Sequence, residues 1–199
     1  MPIVQTLNGF VEIAQAGAAN AGASLSRWLD RDIAVGAATV EVLRLDLIPQ
    51  DDDQQTASVT LASRIRGEIQ GNVAVQLTCA DASALIACLG GNLPEHRLAE
   101  HLGALEQSML QETANILFSS LMNGFAKQLG LSAVPHTPIV LIDVGTAAWG
   151  TLLIESAEDS DHVVVITTPL ACSGGGPSLR LVFLPAPAVF ATLGQDCAQ

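Results

Sequence analysis

The sequence predicts an α+β fold in which an internally duplicated chain pools its strands into one shared, largely antiparallel sheet, with two long helices packed on it. Three observations lead there. A long helical pattern, a set of strand-like runs and a short helix occur in that order twice along the chain. The strand-like runs alternate apolar and polar residues as half-buried strands do. The two halves also align with each other. Placing Val75–Gly90 on Leu179–Gly194 matches Leu77 with Leu181, Ala84 with Ala188, Leu89 with Leu193 and Gly90 with Gly194. In the long helices, Glu12 falls on Glu112.

The elements follow in order. Thr6 to Asp30 reads as the first long helix, because Phe10, Ile13, Leu25, Trp28 and Leu29 recur at helical spacings. Its Ala and Gly content suits close packing. Ala38–Ile48, Ala57–Ile65 and Asn72–Cys79 read as strands, and the Asp51–Asp53 run after Pro49 as a solvated loop. Asp81–Leu89 reads as a short helix with Asp81 as N-cap and Gly90–Gly91 as its stop. A "GGNLPEHR" linker leads to the second long helix, about Leu98 to Leu129, which Gly130 ends. "TPIVLIDVG", "GTLLIES", "DHVVVITTPL" and "SLRLVFL" read as strands, and "APAVFATL" as a closing short helix. The chain is thus expected to be one domain, residues 1–199, built from two repeats spanning about 6–90 and about 99–195.

Composition limits the function classes. Half of the chain is apolar (49%) and only 14% is charged, which supplies a substantial core and argues against disorder. Tyr is absent and aromatics are few, so Ala, Val, Leu and Ile must build that core. The net charge of −12 argues against nucleic acid and against an anionic membrane surface as partners. The N-terminus lacks a basic region and an apolar core, and no apolar run reaches about 18 residues, so neither a signal peptide nor a membrane span is expected. Cys79, Cys88, Cys172 and Cys197 show no CxxC spacing and read as thiols in a reducing cytoplasm. His96, His101, His136 and His162 form no zinc pattern and read as exposed, so no metal site is expected. "SGGGP" lacks the spacing and Lys of a P-loop and reads as a hairpin loop. "GTAAWGT" is a turn candidate whose Trp149 either contacts a partner or folds onto the core. Glu155–Asp161 reads as an acidic connecting loop.

The second long helix carries the candidate site. Ser108, Glu112, Asn115 and Ser119 lie within an arc of about 60° on a helix turning 100° per residue, and His101 projects onto the same line. Most of the remaining circumference is apolar, as in a largely buried helix. Such a polar line is either an ordinary wet edge or a working surface. The stretch reads Ser-x3-Glu-x2-Asn-x22-Pro, from Ser108 through Glu112 and Asn115 to Pro138. In this it resembles the CheC family of chemotaxis phosphatases, with its relatives CheX and FliY, whose signature is Asp/Ser-x3-Glu-x2-Asn-x22-Pro. "EIAQAGAANAGASLSRWL" in the first helix is similar to that family's first helix, and the family shares the internal duplication. The first half departs from the signature, with Asn8, Glu12, Gln15 and Ala38 at the matching positions. Gln is one methylene longer than Asn, enough to misplace a water by about 1 Å, so the first site is expected to be weak or dead.

The resemblance implies a CheC-like domain that hydrolyses the aspartyl phosphate of a CheY-like response regulator. Asn115 would position the attacking water and Glu112 would dock the receiver's lysine. Ser108 would be a secondary polar contact, and Pro138 would shape the chain behind the site. No cofactor is expected on this chain, and Mg²⁺ is expected on the partner receiver domain. The rival reading is a non-catalytic module that docks a receiver or the receptor deamidase CheD, a partner of family relatives.

Overall fold

The computed structural model describes residues 2–47, 57–98, 102–144 and 147–189. Helix α1 (Pro2–Leu29) buries Phe10, Ala14, Ala18, Ala21, Leu25 and Leu29, one stripe at three- and four-residue spacings. Strands β1 (Ile33–Val35) and β2 (Thr39–Arg44) follow, then the long hairpin of β3 (Ala57–Gly67) and β4 (Gly71–Thr78). Helices α2 (Cys79–Cys88) and α3 (Glu95–Leu98) lead to α4 (Ala104–Leu129). The second half continues with β5 (Ala133–Pro135), β6 (Ile139–Val144), α5 (Ala147–Ala157), β7 (His162–Cys172) and β8 (Ser178–Pro185).

The strands form one sheet in the order β1-β7-β8-β4-β3-β5, with β2 also on β7 and β6 also on β3. Every pairing among the described residues is antiparallel. The short strands of each half thus lie end to end along the long strand of the other half. Exchanging β1 with β5, β2 with β6, β3 with β7 and β4 with β8 leaves the pairings unchanged. Loop bonds follow the same exchange. The Gly36 N–H donates to Pro169 O at 2.8 Å and the His136 N–H to Arg64 O at 2.9 Å. The Ser173 N–H donates to Asp32 O at 2.8 Å and the Glu68 N–H to Ser132 O at 2.9 Å.

Alternation along the strands sends side chains to two cores. Val59, Leu61 and Ile65 of β3, with Val73, Val75 and Leu77 of β4 and Leu179, Leu181 and Phe183 of β8, face α1, α2 and α4. Ala62, Ala74, Val163, Val165, Val182 and Leu184 face the other way, under Leu152, Leu153 and Ala157 of α5. Asn72 and Ser156 tie α5 down inside that second core, the amide donating to the hydroxyl at 2.9 Å.

Helices α1 and α4 run antiparallel and nearly touch. A Cβ on Gly124 would lie 2.6 Å from the Gly17 Cα, and one on Gly17 would lie 2.9 Å from the Phe125 ring. Side chains continue the contact: the Ser120 hydroxyl donates to Ser24 Oγ at 2.8 Å and the Trp28 indole N–H to Thr113 Oγ1 at 3.1 Å. Gly130 takes the left-handed conformation, φ 68°, and its N–H caps Ala126 O, which ends α4.

Several expectations are corrected. Trp149, Leu152, Leu153, Ser156 and Ala157 lie on one face of helix α5, not on a turn followed by a strand. Trp149 packs against the second core, and Glu155 belongs to the helix, not to an acidic loop. The N-cap of α2 is Thr78, not Asp81; its hydroxyl accepts from the Asp81 N–H and donates to the Asp81 carboxylate, a reciprocal capping pattern. The second long helix begins at Ala104, and α3 forms inside the expected linker. Strands β1 and β5 had no expectation. The Gly-rich segment is a hairpin turn as expected, with Gly174, Gly175 and Gly176 all at positive φ. Asp51–Asp53, His101, Cys197 and the second half of the closing helix, residues 190–193, lie outside the described residues.

Candidate functional site

Helix α4 sets the geometry. Leu110, Thr113, Ala114, Leu117, Phe118 and Leu121 are buried against the sheet and α1. That leaves Ser108, Glu112 and Asn115 exposed on the opposite face. Beside them runs the Pro135–Pro138 segment that joins β5 to β6. Together they line an open groove of about 350 Å³, containing Ser108, Gln111, Glu112, Asn115, Pro135, His136, Thr137 and Pro138. The four residues of the spaced motif therefore meet at one place. Ser119 is half-buried and lies outside this groove.

Within the groove, Glu112 and Asn115 are one helical turn apart, and neither side chain has a hydrogen-bond partner among the described residues. A carboxylate and a carboxamide with free donors and acceptors thus face solvent side by side. Pro138 is buried, and its carbonyl accepts from the Gln111 amide at 3.1 Å. This bond holds the loop against α4.

Two residues of this site were missed in the sequence. Gln111 sits between Ser108 and Glu112, but nothing in its spacing signals a bond to Pro138. His136 read as exposed and is instead half-buried in the groove wall. Its carbonyl accepts from the Ser63 hydroxyl at 2.8 Å, and its Nδ1 lies 3.2 Å from the Arg66 guanidinium. Arginine only donates, so Nδ1 accepts and the ring carries its proton on Nε2. That Nε2 is buried without a hydrogen-bond partner among the described residues. The two-residue offset from Pro138 was the one available hint.

The matching face of α1 is built differently. Glu12 is exposed, Gln15 is half-buried and Ala38 is buried. The Gln15 amide donates to Gly36 O at 3.0 Å, and its Oε1 accepts from the Ala38 N–H at 2.7 Å. The longer side chain is thus spent on the loop between β1 and β2. The side chain of Asn8 lies outside the described residues. Among the described residues no group of three or more His, Cys, Asp and Glu could hold a metal ion, and no helix is long and apolar enough to cross a membrane.

No protein-family model matches the chain. In sequence it is 26% identical over 164 residues to the CheY-P phosphatase CheC of Bacillus subtilis (strain 168), covering 80% of this chain and 77% of that protein. In structure it is similar to FliY of Thermotoga maritima, with a TM-score of 0.72 and 17% identity over 96% of this chain and 94% of that one. It is also similar to a chain of the FliG–FliM complex from H. pylori, with a TM-score of 0.61 and 10% identity over 94% of this chain and 98% of that one. These comparisons support the CheC family, to which this chain is related in sequence, and its fold is shared with FliY.

Proposed function

We propose that this chain is a phosphatase acting on the aspartyl phosphate of a CheY-like response regulator. One observation carries the reading: Glu112 and Asn115 stand exposed and unspent, one turn apart, in a groove walled by Pro138. The relative from Bacillus subtilis is a CheY-P phosphatase, which supplies the substrate class.

The chemistry needs little from this chain. In an acyl phosphate the leaving group is a carboxylate, so hydrolysis requires mainly positioning and charge balance. A water oxygen forms a bond to phosphorus as the bond to the aspartate oxygen breaks, releasing inorganic phosphate and the free carboxylate. The water's proton passes to solvent or to a phosphate oxygen. The Asn115 carboxamide offers both a donor and an acceptor, and so fixes the water in place and in orientation. Glu112 pairs with the receiver's lysine and docks the helix. Ser108 adds a polar contact, and Mg²⁺ belongs to the receiver. On this reading the chain is one domain, residues 1–199, that arose by duplication of two repeats. The interchangeable strand pairings and the paired loop bonds support that origin.

The test is the Mg²⁺-dependent decay of a phosphorylated receiver with and without the protein. Asn115→Ala should keep the fold and the binding yet lose the acceleration. A fully active variant would sink the assignment. A second reading is a docking module without catalysis, favoured by the likeness to a chain of the FliG–FliM complex and by the spent amide of Gln15. Binding of the phosphorylated receiver, or of CheD, without faster decay would support it.

A further inference from the structure

The two long helices carry the same carboxylate–amide pair, Glu12 with Gln15 and Glu112 with Asn115, yet only one amide is free. The loops explain why. In the first half the β1–β2 loop presents two polar groups to α1, the Gly36 carbonyl and the Ala38 N–H, and Gln15 binds both. The matching groups in the second half would be the His136 carbonyl and an N–H at position 138. Asn115 binds neither. The His136 carbonyl accepts instead from the Ser63 hydroxyl at 2.8 Å. Pro138 has no N–H at all. The loop still needs a tie to its helix, and Gln111 supplies one through the Pro138 carbonyl at 3.1 Å.

We propose that the β5–β6 loop is built to leave the Asn115 amide unclaimed: Pro138 deletes the N–H that would capture it, Ser63 occupies the adjacent carbonyl, and Gln111 carries the structural bond instead. The Glu12–Gln15 face is the latched form of the same device. Pro138, Ser63 and Gln111 are positioning residues that act through Asn115. The inference rests on Asn115 being the working amide, and it assigns the motif's proline a role that side-chain chemistry does not supply. A buried N–H seeks an acceptor, so a non-proline residue at 138 would compete with the bound water for the Asn115 carbonyl oxygen.

The latch is read first on the unmodified protein alone, by NMR exchange of side-chain amide protons. The Gln15 amide should exchange at least about tenfold more slowly than that of Asn115, because hydrogen-bonded groups exchange only on local opening. Equal exchange overturns the latch. Pro138→Ala should then show a backbone N–H at position 138 that exchanges slowly because the Asn115 oxygen accepts from it, and should lower the phospho-receiver decay rate at saturation by on the order of 10- to 100-fold, as for a misplaced reacting group. The half-saturating concentration should be unchanged. A freely exchanging N–H at position 138 with full activity overturns the role of Pro138. The converse is a gain of function. In the Asn115→Ala background, Gln15→Asn with Ala38→Pro should restore acceleration, with Thr168 standing at the β7 position that matches Ser63. A folded but inactive combination overturns the claim that the latch silences that face. If Asn115→Ala itself proves fully active, the phosphatase reading falls, and the exchange contrast still decides the latch.

Discussion

Gly124→Ala tests the contact on which both polar faces depend. The added Cβ would sit 2.6 Å from the Gly17 Cα, 2.9 Å from Asn20 Nδ2 and 3.3 Å from the Gly17 nitrogen. Asn20 is exposed and can turn away, but the Gly17 backbone cannot. Carbon atoms at rest lie about 3.5–4.0 Å apart, so the helices must part by roughly 1 Å. Such overpacking costs about 1–3 kcal/mol. Replacing Gly by Ala inside a helix returns up to about 1 kcal/mol. With the full return the net loss is about 0–2 kcal/mol. The deficit is therefore read against a helix Gly→Ala change that keeps only the gain, where it is about 1–3 kcal/mol, or about 2–12 °C in melting temperature for a chain this long. Gly9→Ala is the control, because a Cβ there meets nothing within 4 Å and only the propensity gain applies. Both are read by thermal unfolding followed by circular dichroism. A Gly124→Ala protein as stable as the Gly9→Ala protein would refute the close crossing.

Three further outcomes are expected. Ser156→Ala leaves the buried Asn72 amide without its acceptor and should cost about 1–3 kcal/mol in denaturant unfolding, and a double change with Asn72→Ala should recover part of that loss. Glu68 accepts from the Ser132 N–H at 2.9 Å and from its hydroxyl at 3.0 Å, which lowers its pKa from the ordinary 4.5. The stability it contributes is therefore full above that value and is lost as pH falls through the lowered one, so Glu68→Gln should destabilise at pH 7 and match the unmodified protein in strong acid. Burial raises the thiol pKa of Cys79 and Cys172, so iodoacetamide at neutral pH should label both slowly in the folded state and quickly after denaturation, as mass spectrometry would show.

Much of the fold was legible where local pattern and tertiary role agree. The alternation in Ala57–Gly67 and the start of Ser178–Pro185 marked their strands, whose one face packs under α1, α2 and α4 and whose other is covered in part by α5. Helix α5 was misread because "GTLLIES" is a short apolar run, and such runs do not separate helix from strand by composition. Its helical signal was present in the spacing of Trp149, Leu152, Leu153, Ser156 and Ala157, and Asp143 caps its start by accepting from the Ala148 N–H at 2.8 Å. Strands β1 and β5 are three residues long and exist only through pairing with β7 and β3, which no local pattern encodes. The groove divides in the same way. Glu112 and Asn115 shared a helix face by arithmetic, whereas the bonds of Gln15 and Gln111 span 21 to 27 residues and depend on how the loops return.

The crossed strand pairing has a consequence for how the chain can be assembled. Strand β2 has β7 as its sheet partner, and Thr39 reaches across 128 residues to Thr167. A polypeptide cut in the segment between α2 and α4 would give one piece whose short strands β1 and β2 have lost β7 and whose long strand β3 has lost β5 and β6, and a second piece with the matching deficit. Each piece exposes the sheet edge that the other must fill. Neither should hold its shape alone, while the two mixed should reassemble as a non-covalent pair. An intact chain must close these long loops before the contacts repay the entropy, so folding should be slow for its size and all-or-none. Interlaced halves of this kind allow the polar face of one helix to diverge while the strands of its half remain indispensable to the other.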